Sequence, residues 1–159
     1  MKKPTVIVIA GPTASGKSKL AIELAKRING EIVSADSMQI YKEMNIGTAK
    51  VTANEMENVK HYMIDIVSPD IRYSVSQYKK DAENCIEEII QRGKTPIICG
   101  GTGLYINSLI YNINYSDEEI DDEYRNELNE IADREGLDEL YKQAVLIDPE
   151  AMEKIKNIK

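Results

Sequence analysis

The run Gly11-Pro12-Thr13-Ala14-Ser15-Gly16-Lys17-Ser18 satisfies the pattern G-x-x-x-x-G-K-[ST] in full. An apolar, β-branched segment (residues 5–10) precedes it, and an apolar stripe at helical spacing (Leu20, Ala21, Leu24, Ala25, Ile28) follows it. In that setting the run is a phosphate-binding loop. Gly11 and Gly16 let the backbone close round an anion, the loop N–H groups point inward, and the helix that starts near Lys17 adds its positive dipole end. The Lys17 ammonium is placed to neutralise terminal phosphates, and the Ser18 hydroxyl to ligate Mg2+. The expected ligand carries a diphosphate or longer phosphate chain.

A loop of this kind needs a parallel sheet behind it, and the sequence supplies one. Residues 5–10, 31–35, 61–67 and 95–99 read as strands that are apolar almost throughout. Asn29-Gly30 closes the first helix with a residue suited to the left-handed C-terminal position. Before the fourth strand, Val75, Tyr78, Ala82, Cys85, Ile86, Ile89 and Ile90 form a second helical stripe, with Ser74 or Ser76 as cap and Gly93 as stop. The fold class is α/β, a P-loop NTPase-like parallel sheet flanked by helices.

Past about residue 112 the texture changes. A polar, acidic stretch leads into helical patterns only: Tyr124, Leu128, Ile131 and Ala132 up to Gly136, then Leu137, Leu140, Tyr141, Ala144 and Val145, then Asp148-Pro149 as the cap and first position of a third helix. We therefore divide the chain into a core (1–112) and a helical part (113–159). From a helix pattern that stops at Lys159 without a cap, the chain is expected to be part of a longer protein.

Composition narrows the function class. At 159 residues there is room for one core and an appendage, and no apolar run approaches the roughly 20 residues that span a bilayer. Two cysteines, Cys85 and Cys99, without secretory features are expected as free thiols in the cytoplasm. A net charge of −7 is poor for holding a polyanion, but the first 116 residues are near balance and the excess acid lies in the tail. His61 has no partner at metal-ligand spacing and is read as a packing or hydrogen-bonding residue. Met38, Met44, Met56 and Met63 are read as core or pocket-lining positions, and the acidic run 117–123 as a solvated linker and helix start.

Two further strand ends carry chemistry. Where many P-loop ATPases keep a magnesium-binding Asp, Pro96-Ile97-Ile98-Cys99 runs instead into Gly100-Gly101-Thr102-Gly103. This is either a strand-to-helix turn or a second close-approach loop with the Thr102 hydroxyl offered to phosphate, metal or water. After the second strand, Asp36 should face the phosphate loop across the crevice at the carboxyl ends of the strands. It is suited to act as a general base or to hold a metal-bound water, or else to cap the next turn. Spacing alone leaves both readings open.

The phosphate loop is followed in order by Asp36-Ser37-Met38-Gln39-Ile40-Tyr41, Asn45-Ile46-Gly47-Thr48-Ala49-Lys50, His61-Tyr62-Met63-Ile64-Asp65 and Gly100-Gly101-Thr102-Gly103-Leu104-Tyr105. Together these motifs resemble those of the tRNA dimethylallyltransferases. The resemblance implies transfer of a dimethylallyl group from dimethylallyl diphosphate to N6 of the adenosine next to the tRNA anticodon, with diphosphate leaving. Loop residues 11–18 would then cradle the leaving diphosphate, with Mg2+ on Ser18 and added contacts from the Thr13 and Thr102 hydroxyls. Asp36 would be the general base, with Lys17 and Thr102 beside it in the catalytic set. Ser37, Met38, Gln39 and Thr102 would border the acceptor nucleotide. The helical tail would begin an inserted tRNA-clasping domain in which Arg125 is a candidate contact. A cytoplasmic monomer with no membrane attachment is expected, its partners being tRNA and dimethylallyl diphosphate. The family's further basic residues would lie beyond Lys159, so the 159-residue chain alone is expected to bind diphosphate weakly and transfer poorly.

Two other readings remain for the loop by itself. One is a small-molecule kinase or an enzyme that prenylates adenine nucleotides, the other a non-catalytic nucleotide-binding module. The absent strand-end carboxylate speaks against the kinase, and the Asp36 and Thr102 motifs against the passive module.

Overall fold

The computed structural model describes residues 4–113, 115 and 121–155. The chain divides into two compact units, Met1–Ser116 and Asp117–Lys159.

The first unit holds β1 (Ile7–Ala10), α1 (Lys17–Ile28), β2 (Gly30–Ala35), β3 (His61–Tyr62), α2 (Val75–Gln91), β4 (Thr95–Gly100) and α3 (Gly103–Ile110). The four strands form one sheet in the order β1-β4-β2-β3, and every neighbouring pair is parallel. Helices flank it, because the two central strands are apolar on both sides. Ile32, Ile97 and Cys99 pack with Ala21, Ile22 and Ala25 of α1. The alternate residues Val33, Ala35 and Ile98 pack with Tyr78, Ala82 and Ile89 of α2 and with Tyr105 and Ile106 of α3. A period of two along each strand thus feeds α1 on one face and α2 with α3 on the other, and the buried polar residues of β2, Glu31 and Ser34, are hydrogen-bonded through the Glu31 carboxylate and the Ser34 carbonyl.

The helix ends follow local chemistry. Asn29 takes the left-handed conformation (φ 54°) and its N–H bonds to Ala25 O. Ser74 begins α2 with a full capping box: its Oγ accepts from the Gln77 N–H, and the Gln77 side chain accepts from the Ser74 N–H.

One expected strand is largely absent. Of residues 61–67 only His61 and Tyr62 pair as a strand, because Met63 and Asp65 turn to positive φ (61° and 56°) and lift the chain off the sheet. Val67 then makes a single parallel bridge to Tyr41. The first strand is also shorter than expected, starting at Ile7.

The second unit contains α4 (Asp122–Glu135), α5 (Leu137–Ile147) and α6 (Pro149–Ile155). Asp121 caps α4 through Tyr124 N–H, Gly136 separates α4 from α5, and Asp148 Oδ1 caps α6 through Ala151 N–H. Residues 116–120, which open the expected acidic linker, lie outside the described residues. Among the described residues no helix is long and apolar enough to cross a membrane.

Candidate phosphate and acceptor site

Parallel strands deliver their carboxyl ends to one edge of the sheet, and here three of those ends meet at Gly100. In the sheet register Gly100 is opposite Ala10 of β1 and opposite Ala35 of β2. Gly11 N–H donates to Gly100 O (3.3 Å), and Thr102 N–H donates to Ala35 O (3.0 Å). The approach is too close for any side chain. A Cβ on Gly100 would overlap the Ala35 carbonyl and lie 2.7 Å from the Ala35 Cα, and a Cβ on Gly101 would lie 3.1 Å from Gly11 O.

The phosphate loop leaves β1 at Gly11 and enters α1 through two left-handed residues, Ala14 (φ 62°) and Gly16 (φ 81°). Pro12 O is its internal anchor, accepting from Ser15 Oγ (2.8 Å) and from Lys17 Nζ (2.9 Å). The Lys17 ammonium is thereby arched over the loop. No side chain caps the start of α1 at Gly16, so its first N–H groups are available to an anion.

Asp36 follows β2 directly. Its Oδ1 accepts from the N–H groups of Met38 (3.0 Å) and Gln39 (3.3 Å), which makes it the cap of the next turn. Among the described residues Oδ2 has no such partner, so the capping and functional readings of Asp36 are compatible. Thr102 ties this loop to the end of β4, since its Oγ1 accepts from Ser37 N–H (2.9 Å) and donates to Ser37 Oγ (3.3 Å). Gln39 sends its side-chain amide to Thr48 O (3.1 Å) and holds a further loop in place.

These pieces enclose a cleft of about 80 Å³ lined by Thr13, Ala14, Lys17, Ser18, Asp36 and Gln39, with Ser34, Thr48, Ala49, Cys99 and Gly100 behind them. A larger cavity of about 340 Å³ adjoins at Ser18 and Ala49, between α1 and the segment bearing Val51, Glu55 and Glu57. The phosphate-loop residues Thr13, Ala14 and Lys17 line the smaller one together with Asp36. Burial pushes the Cys99 thiol up to about 11, which leaves it a neutral wall of the cleft. Both cysteines are free thiols.

Of the residues singled out from the sequence, the structure gathers Thr13, Ala14, Lys17, Ser18, Asp36 and Gln39 on the cleft, with Gly11, Pro12, Ser15 and Gly16 shaping the loop. Ser37 and Thr102 face each other beside it. Of the four methionines read as core or pocket-lining, Met63 is buried and Met56 half-buried, while Met38 and Met44 are exposed. Arg125 is exposed on α4 in the second unit. His61 is half-buried with Nδ1 2.8 Å from Val59 O, and burial lowers its pKa, which fits the packing role.

Sequence reasoning placed Tyr78 in the apolar stripe of α2 without foreseeing its contact with the cleft. It is fully buried in α2, stacked on Tyr105 (3.8 Å between centroids), and donates its hydroxyl to Ser34 O (3.0 Å) just below the cleft. A tyrosine in an otherwise aliphatic helical stripe was the available signal.

The donors on the cleft suit a hard cation. Ser18 offers a hydroxyl and Asp36 a carboxylate, and among the described residues no group of three or more His, Cys, Asp or Glu is arranged for a metal. Few protein oxygens, with the remainder supplied by phosphate and water, is the way Mg2+ is ordinarily held.

Comparisons with known proteins agree with this geometry. The sequence model of the IPP transferase family matches residues 39–158. A tRNA dimethylallyltransferase from Thermoanaerobacter sp. strain X514 is 55% identical over 150 residues, covering 94% of this chain and 48% of that protein. The crystal structure of the full-length tRNA isopentenylpyrophosphate transferase from Bacillus halodurans superposes with a TM-score of 0.71 at 45% identity, over 96% of this chain and 50% of that one. A eukaryotic dimethylallyltransferase crystallised acting on tRNA gives a TM-score of 0.79 at 33% identity, over 96% and 38%. The chain spans about half the length of the curated relatives it matches.

Proposed function

The chain belongs to the IPP transferase family, and on that footing we propose that it carries the diphosphate cradle and acceptor base of an enzyme that prenylates tRNA. The reaction moves a dimethylallyl group from dimethylallyl diphosphate to N6 of the adenosine next to the anticodon. The observation that carries this reading is the convergence on one cleft of the phosphate loop and Asp36.

The loop amides, the start of α1 and Lys17 surround the diphosphate. As the bond between the prenyl C1 and the diphosphate oxygen breaks, the electron pair leaves with that oxygen, and these groups meet the charge where it develops. Lys17, whose ammonium donates to Pro12 O without the phosphate, turns to the phosphate as its acceptor. Mg2+, held by Ser18 and phosphate oxygens, would supply further charge neutralisation. The adenine amine attacks C1 and gives up its proton to Asp36, whose Oδ2 is the oxygen left over from capping. Thr102 keeps the Asp36 loop pinned to β4 through Ser37. The acceptor base must leave its stack to reach the cleft, with Ser37, Met38 and Gln39 at its edge and Arg125 a contact elsewhere on the RNA.

The test is product analysis with the full-length protein. Dimethylallyl diphosphate should release diphosphate only when an anticodon stem-loop bearing the adenosine is present, and ATP should remain intact. Magnesium-dependent loss of the terminal phosphate of ATP, without diphosphate release, would overturn the assignment in favour of a kinase.

A further inference from the structure

Two of the motifs that follow the phosphate loop take no part in the chemistry above: residues 45–50 and residues 61–65. They meet at Lys50. Its side chain is 5% exposed, and its ammonium donates to Tyr41 O (2.7 Å) and to Asp65 Oδ1 (2.5 Å).

The ammonium sits across a seam. Asp65 N–H donates to Gln39 O (3.2 Å), Ile66 N–H to Ile40 O (2.9 Å) and Lys42 N–H to Val67 O (2.8 Å), so residues 39–42 are laid along residues 65–67. Ile40 is fully buried in that seam. On the far side, Met63 and Asp65 hold left-handed φ, which costs of order 1 kcal/mol each and persists only where surroundings over-determine it. Lys50 supplies part of that determination by taking the Asp65 carboxylate.

Both ends of the clamped loop face the cleft. At one end the Asp36 carboxylate is set by the amides of Met38 and Gln39, directly before the seam. At the other, Thr48 and Ala49 line the cleft, held by Gln39 and followed immediately by Lys50. A buried ammonium is costly to desolvate, and an apolar side chain would fill the same space more stably. What an apolar side chain lacks is the ability to hold acceptors on two segments at once.

We propose that Lys50, through Tyr41 and Asp65, is a positioning residue for group transfer, fixing loop 36–50 so that Asp36 meets the acceptor amine. This rests on the function proposed above.

The experiment measures transfer and binding of inorganic diphosphate by the full-length protein, in Lys50→Met, Asp65→Ala and Asp65→Asn. Misplacing a base by about 1 Å can cost on the order of a hundredfold. Lys50→Met and Asp65→Ala should therefore lower kcat by roughly tenfold or more, while KM for dimethylallyl diphosphate and the affinity for inorganic diphosphate stay near wild type. Asp65→Asn keeps an oxygen for Lys50 and should retain most of kcat. Asp65 is half-exposed, so its variants decide the matter if Lys50→Met fails to fold.

Wild-type kcat in Lys50→Met and Asp65→Ala overturns the proposal, as does diphosphate affinity that falls in step with kcat. A wild-type protein that transfers nothing overturns the function instead. Amide exchange then judges the clamp: Ile66 and Val67 should exchange faster in both variants while β4 stays protected, and unchanged exchange sinks it.

Discussion

Replacing Gly100 by Ala is the smallest change that should separate the strand ends on which the site is built. The added methyl would overlap the Ala35 carbonyl and sit 2.7 Å from the Ala35 Cα. Ordinary contact begins near 3.4 Å, so β2 and β4 must part by about an ångström, and both atoms involved are backbone. Overpacking of this kind costs about 1–3 kcal/mol. The hydrogen bonds Gly11 N–H to Gly100 O and Thr102 N–H to Ala35 O stretch with it, at about 1 kcal/mol each. A total of about 3–5 kcal/mol is expected. A domain of this size has roughly 6–17 kcal/mol to lose, so it still folds, with a Tm lower by about 12–20 °C. Urea unfolding followed by the near-ultraviolet circular dichroism of the stacked Tyr78 and Tyr105 reads the change directly. Gly103→Ala is the control, because a Cβ there meets nothing within 4 Å. It should shift stability by no more than about 1 kcal/mol. Affinity for inorganic diphosphate should fall in Gly100→Ala alone. A Gly100→Ala protein within about 1 kcal/mol of wild type, with unchanged diphosphate affinity, refutes the reasoning.

Lys17→Ala should weaken binding of magnesium diphosphate by about 10- to 100-fold in calorimetric titration, the worth of a charged hydrogen bond, while leaving the fold intact. Asp36→Asn keeps an Oδ1 acceptor for the amides of Met38 and Gln39, so diphosphate binding should hold while transfer drops by about a hundredfold or more. Lost diphosphate binding with transfer retained would remove Asp36 from the role of base. Tyr78→Phe should cost about 1–2 kcal/mol in urea unfolding, since the Ser34 carbonyl loses its buried donor. Glu31 gives the pH dependence. Burial pushes this carboxyl up, but hydrogen bonds from Lys94, Tyr62 and Arg92 outweigh it and hold the pKa at about 2 instead of 4.5. A depressed carboxylate stabilises the folded state above its unfolded pKa and loses that contribution as pH falls through the folded one. The gap in stability between wild type and Glu31→Gln, up to about 3 kcal/mol at neutral pH, should therefore narrow between pH 4.5 and 2. A gap that does not change with pH contradicts it.

The sheet was legible because β2 and β4 are buried on both faces, so the adjacent apolar pairs Ile32-Val33 and Ile97-Ile98 stand out in short β-branched runs. The phosphate loop was legible because its spacing is itself the mechanism. Residues 61–67 were not: Met63 and Asp65 adopt a backbone region that nothing in a Met or Asp side chain announces, and the contacts of Asp65 with Lys50 and Gln39 are set by the tertiary fold. Thr102 was recognised as a hydroxyl in the right place. That Ser37 takes both of its bonds depends on two strand ends being adjacent, which no local pattern contains.

The missing carboxylate after β4 has a physical cause in the same adjacency. Position 100 is where an acid would be expected, but even a Cβ there collides with Ala35, so no Asp fits while β2 and β4 keep this separation. The close approach that excludes an acid from β4 carries the end of β2 to the cleft instead. The next residue after Ala35 is Asp36, tied across to β4 by the bonds between Ser37 and Thr102. A carboxylate on β4 would stand beside the phosphate loop, where it serves a metal and the phosphates of a nucleotide. On β2 its inner oxygen is taken by the turn and its outer one is offered across the cleft, an arrangement suited to a proton on an incoming nucleophile. On the function proposed above, the strand end that bears the acid, more than the phosphate loop, would separate prenyl transfer from nucleotide hydrolysis.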